Sequence, residues 1–166
     1  MIRGLPVILA LAAVLATDAA DAATRAANGR ARTVKPIGIA NTRALDFGTL
    51  IRGTTAGTAT VNATTDARTR TGGVIAAGGT PSAARFTVTG TPTIIARITI
   101  GAAPVLTRVS GTETMTVSNM TLNGARNRRF PASGALDVRV GGRLNIRANQ
   151  RDGAYLGTFN VTVDYL

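Results

Sequence analysis

From Ile37 to Leu166, apolar and polar residues alternate in short runs broken by Gly, Pro and Asn, and no stretch repeats with the period of an amphipathic helix. Period-two alternation sends successive side chains to opposite faces of an extended strand, so each run has one face to bury and one to leave in water. The run at the end is the most regular: Phe159, Val161, Val163 and Tyr165 share one face, and Asn160, Thr162 and Asp164 the other. Earlier candidates are Thr58 to Asn62, Arg85 to Thr89, Thr93 to Ile100 with Ile94, Ala96, Ile98 and Ile100 on one face, and the segment holding Met115 and Val117. Leu136, Val138 and Val140 precede Gly141-Gly142, and Leu144, Ile146 and Ala148 follow, a pattern that predicts a hairpin turning at the glycine pair. In Leu45-Asp46-Phe47-Gly48, Leu45 and Phe47 read as buried members of a first core strand and Gly48 as its turn. Short strands separated by Gly-rich turns predict an all-β fold, one sandwich of antiparallel strands over residues 37–166.

The N-terminus has a different pattern. Arg3 gives a basic start, Leu5 to Ala16 form an apolar run, and small residues surround Ala22. The run falls short of the roughly 20 apolar residues of a membrane-spanning helix. It predicts a signal peptide over residues 1–22, and an exported product that passes through the periplasm to the cell surface or beyond. Residues 23–36 are rich in Ala and Arg and read as an extended, mobile arm. Its Ala27, Gly29, Ala31 and Thr33 are small and uncharged and fall on one face, with Arg30 and Arg32 on the other. A strand of that kind suits a narrow groove.

The inventory for catalysis is thin. The chain has 0 His and 0 Cys, and beyond the signal peptide its acids are Asp46, Asp66, Glu113, Asp137, Asp152 and Asp164. None forms a recognisable carboxylate pair, and the Gly72 to Gly79 stretch lacks the Lys-Ser/Thr ending of a phosphate loop. The expectation is a non-enzymatic protein with no cofactor and no metal. Charge points elsewhere: 19 Lys+Arg stand against 8 Asp+Glu, nearly all of the cations Arg. These arginines read either as the solvated faces of strands, as at Arg97, Arg139 and Arg147, or as a surface for acidic polymers. Arg126, Arg128 and Arg129, in an expected loop, are the candidate polyanion contacts. Nucleic acid is not the expected partner, because 4% aromatics and 0 Trp leave few stacking platforms. The same scarcity disfavours an outer-membrane barrel, which needs aromatic girdles.

Two resemblances sharpen the reading. Gly153 through Leu166, GAYLGTFNVTVDYL, resembles the C-terminal signature of chaperone–usher pilins, with an early Gly, alternating apolar residues and a penultimate Tyr. In that family this strand borders a groove filled first by a chaperone and then by the next subunit's N-terminal extension. The resemblance implies an immunoglobulin-like, pilin-like sandwich whose assembly strand carries Gly153, Phe159, Val161, Val163 and Tyr165. It also implies related pilin subunits or other copies of the chain, a periplasmic chaperone and an outer-membrane usher as partners. More broadly, Ile37 to Gly48, Val140 to Leu144 and the closing strand resemble the domain of unknown function 4402 family of exported bacterial proteins, and more loosely spore-coat-U-like domains. Those domains commonly carry cysteines, which this chain lacks. Two functions follow as expectations: a filament subunit joined by donor-strand exchange, or a monomeric secreted or periplasmic binding module with a basic surface.

Overall fold

The computed structural model describes residues 24–166, so the expected signal peptide lies outside the described residues. The chain divides into two units between Arg32 and Thr33. Of the first, residues 24–32 are irregular chain with every residue exposed. The second, Thr33–Leu166, is an antiparallel β-sandwich, the all-β class that the alternating sequence predicts.

In chain order the strands are Gly38–Arg43 (β1), Leu50–Ile51 (β2), Gly57–Val61 (β3), Arg68–Gly72 (β4), Ile75–Ala76 (β5), Ala84–Thr89 (β6) and Ile95–Ile100 (β7). Val105–Arg108 (β8), Thr114–Leu122 (β9), Asn127–Arg129 (β10), Ala135–Ile146 (β11), Tyr155–Leu156 (β12) and Val161–Tyr165 (β13) follow. The large sheet runs β1-β6-β11-β9-β8-β12, with β3 and β4 added beside the second half of β11. A small sheet, β10-β7-β13, and a two-stranded ribbon, β2-β5, complete the domain.

β11 organises the large sheet. Along one side it pairs with β9, and along the other with β6 over Ala135 to Val140 and then with β3 over Gly142 to Ile146. Its inward residues therefore serve two hydrophobic clusters. Val138 packs with Val88 of β6, Ala96 and Ile98 of β7, and Phe130. Leu144 and Ile146 pack with Ala59, Val61, Val117 and Phe47. The Leu45 to Gly48 stretch contributes Phe47 to that core but is not a strand: Asp46 makes a single bridge to Ser82, and Gly48 turns the chain at φ +68°.

The hairpin expected at Gly141-Gly142 does not form. β11 runs straight through, and neither glycine has the positive φ that a two-residue hairpin turn requires. The glycines serve close approach instead. A Cβ on Gly141 would overlap the carbonyl of Val61 and the amide of Ala63 as β3 comes alongside, and one on Gly142 would press on Met120 and Val117. Opposite Gly142, β9 carries an extra residue, since Gly141 pairs with Thr121 but Arg143 with Ser118. Asn119 absorbs this bulge at φ +48°, a region that Asn tolerates better than most residues.

A polar tie joins the β3–β4 turn to β6. The Asp66 carboxylate accepts from the Ala83 amide at 2.9 Å and from the Arg85 guanidinium, with Arg43 at 3.7 Å. The Ala83 hydrogen bond and the neighbouring arginines hold its pKa below the ordinary aspartate value, against a smaller opposing effect of burial.

Gly141→Val should destabilise the domain by about 3 kcal/mol, because the overlap is with backbone that cannot give way. Gly124→Ala, where the nearest atom to a new Cβ is 3.5 Å away, should change stability by less than about 0.5 kcal/mol. Urea midpoints of the two variants check the contrast.

Candidate functional site

The edge strands among the described residues include one from each main sheet: β1, bonded only to β6, and β13, bonded only to β7. These edges lie on the same side of the sandwich, because Tyr165 in β13 bonds Lys35, just ahead of β1. On the opposite side Arg128 of β10 ties the small sheet to the large one, donating to the carbonyl of Asp137 at 3.2 Å. The open side is a seam between the two layers.

Main-chain geometry fixes what the seam presents. Gly101 N–H donates to the Asn160 carbonyl, and Leu166 N–H to the Ile95 carbonyl, so the even-numbered residues of this strand face β7. In an antiparallel ladder the residues between them face the other way. The N–H and C=O groups of Val161, Val163 and Tyr165 therefore point away from β7 into the seam, with no main-chain partner among the described residues. Their side chains lie opposite Ile100, Ile98 and Ala96 across the ladder, and so face the sandwich interior.

The interior is incompletely covered at this edge. One strand inward, Val88, Ala96 and Ile98 have 0% exposure, yet Val161, Val163 and Tyr165 remain half-buried. Across the seam, Ile39 sits opposite Val88 in the β1–β6 register and so also faces inward, but it is 45% exposed. Ile37, two residues earlier, shares that face and is half-buried. Inward-facing apolar side chains are therefore left in partial contact with water on both lips of the seam.

The expected alternation of the last strand is thus present, with Asn160, Thr162 and Asp164 exposed. Phe159 lies just ahead of β13 and meets Phe86 edge-on at 6.3 Å between ring centroids. Gly153 is not part of this strand. It sits before β12 at φ +133° and packs on Arg108, with Tyr155 and Leu156 pairing to β8 in between.

One end of the seam is tied shut. The Tyr165 hydroxyl donates to the Lys35 carbonyl at 2.7 Å and accepts from the Thr91 amide at 2.7 Å. The Lys35 amide in turn donates to the Thr91 hydroxyl at 2.7 Å, closing a ring of three residues. Gly90 makes room for it, since a Cβ there would fall 2.6 Å from the Phe130 ring and 2.8 Å from the Tyr165 hydroxyl. The Phe130 and Tyr165 rings lie 6.0 Å apart, tilted at 59°. Sequence patterning located Tyr165 but gave no sign of Lys35 or Thr91, whose roles depend on main-chain groups.

The structure separates the remaining candidates. Ala27, Gly29 and Ala31 lie in the irregular unit, and Thr33 is exposed at the start of the domain. Only Arg126 of the arginine cluster lies in a loop, a bend ahead of β10, because Asn127–Arg129 pair with β7. The Arg128 guanidinium is spent on the structure: it donates to Ala125, Asp137 and Asn123, and burial lowers its pKa. Arg129 donates to the Thr93 carbonyl, which leaves Arg126 as the exposed member whose side chain makes no hydrogen bond or ion pair among the described residues.

The sequence model for the domain of unknown function DUF4402 matches residues 37–165, and the chain belongs to that family. Neither a search of curated proteins nor one of solved structures gave a match. The family boundary begins one residue before β1 and ends at Tyr165, so it encloses both lips of the seam.

In the monomeric domain, the amides of Val161 and Val163 should exchange with solvent roughly 100-fold faster than those of Thr162 and Asp164, a factor worth about 2.7 kcal/mol of local protection. Residue-resolved hydrogen exchange checks this, and equal protection along β13 would show that its outer edge is covered.

Proposed function

We propose that this protein is a non-enzymatic structural subunit of a pilus-like or other cell-surface filament, exported by its signal peptide and assembled by donor-strand exchange. The part of the 23–36 arm that precedes Lys35 in one copy lies in the seam of the next. The observation that carries this reading is the seam itself, with unpaired main chain on β13 and inward apolar side chains half-open on both lips. An extended segment laid there gains main-chain hydrogen bonds from β13, while its alternate side chains cover Val161, Val163 and Ile39.

The arm fits in length and in shape. Residues 24–34 reach about 36 Å when extended, at roughly 3.3 Å each, against about 17 Å for a five-residue strand. The floor of the seam, Val88, Ile98 and Val138, is already at 0% exposure. An incoming strand therefore meets a shallow trough, and the small side chains of Ala27, Gly29, Ala31 and Thr33 suit a shallow trough better than bulky ones would. Affinity would then rest mainly on the main-chain ladder, with a chaperone covering the same edge before assembly.

Deleting residues 23–34 should leave a folded domain and abolish chaining, whereas the full mature chain should form a ladder of heat-dissociable multimers. Unheated gels and light scattering read both states. Unchanged chaining in the deletion would sink the proposal.

A second reading, a monomeric binding module for acidic polymers, draws on a different face. The outward rows of β4, β3, β11 and β9 set Thr71, Thr58, Asn145 and Thr116 in one register line, and Thr69, Thr60, Arg143 and Ser118 in the next, with no acid among them. If this face is the functional one, Arg143→Ala should weaken a salt-sensitive complex with an acidic polysaccharide, measured on a strictly monomeric protein.

A further inference from the structure

An arm and a groove on the same chain raise a problem that the filament reading alone does not answer. A tethered segment competes for its own seam at an effective concentration in the millimolar range, far above that of other copies. Unless geometry forbids it, each subunit would fill its own seam and no chain would grow. We infer that the ring of Tyr165, Lys35 and Thr91 is the device that forbids it, holding the arm's exit so that the arm can enter only another copy.

The argument begins at Lys35. The domain gives up the arm there, beside Tyr165, at the end toward which β13 runs. To enter its own seam the arm would have to fold back against β1 through a reversal at residues 33–37. It would then lie parallel to β13, the weaker of the two ladder types. Both main-chain groups of Lys35 are already committed, the N–H to Thr91 and the C=O to Tyr165. A reversal there must compete with both bonds. A second copy is under no such constraint and can run antiparallel to β13.

The ring also sits where it can be removed with little other damage. Tyr165→Phe keeps the aromatic contact with Phe130 and the apolar face toward the core, and deletes only the hydroxyl that bonds Lys35 and Thr91.

This inference rests on the filament reading, and one experiment separates the two. The full mature chain and its Tyr165→Phe variant are refolded at equal low concentration, sized by light scattering, and the monomer fraction is examined by hydrogen exchange at Val161 and Val163. The expected result is multimers for the natural chain, and for the variant a several-fold larger monomer fraction in which those two amides are protected, the mark of a self-filled seam. The same distribution of multimers for both proteins would overturn the role of the ring while leaving strand donation intact. Monomers of both proteins with freely exchanging Val161 and Val163 would overturn strand donation itself, and the ring's role with it. Thr91→Ala, which removes the acceptor for the Lys35 amide, gives the same readout should Tyr165→Phe fail to fold.

Discussion

The main-chain ladder of β11 is the interaction on which the rest of the sandwich depends. A strand of 12 residues with β9 along one side, and β6 and then β3 along the other, lets one extended segment anchor both hydrophobic clusters. The handover from β6 to β3 falls at Gly141-Gly142, where the absence of side chains lets the Val61 to Ala63 backbone come alongside. The bulge at Asn119 absorbs the mismatch on the β9 side. With no cysteine in the chain, no disulfide braces this junction, so pairing and packing carry its stability.

Because β11 has its partners on both sides, the unsatisfied valences of the sandwich collect elsewhere. They appear at β1 and β13, where inward-facing Ile39, Val161 and Val163 stay partly wet above a floor that is fully dry. Membership of the DUF4402 family fixes the extent of the domain and leaves its activity open. The filament reading takes its force from the physics of that edge, an unpaired ladder beside an uncovered apolar row. An outer face of Thr, Ser and Asn with Arg143 and no acid supports the rival reading and lies on a different surface, so the two can be tested apart.

Much of this was legible in the sequence where side-chain pattern alone decides. The alternation in Phe159 to Tyr165 and in Ile94 to Ile100 identified which residues face inward, and the structure has them so. Patterning failed where the cause was main-chain proximity. Gly141-Gly142 looks like a turn because glycine permits positive φ, yet here glycine is needed to admit a neighbouring backbone, and local sequence does not distinguish the two uses. Arg126 to Arg129 looked like a loop of free charges because nothing nearby in sequence announces Ala125, Asp137 and Asn123 as acceptors for Arg128. The Tyr165–Lys35 bond spans 130 positions and ends on a carbonyl that any residue could supply.

The position of β11 in the chain also bears on how the protein can be made. β3 and β6 are complete before residue 90, but both wait for a partner that begins at Ala135. A chain emerging from its N-terminus can pair β3 with β4 and β6 with β1, but the strand that anchors both clusters is absent through most of its synthesis. Folding is held back until the sequence is nearly complete, the slow, non-local regime of β-sandwiches. The interval of greatest danger for such a molecule comes before it folds, when those early strands are most apt to pair with the wrong neighbour.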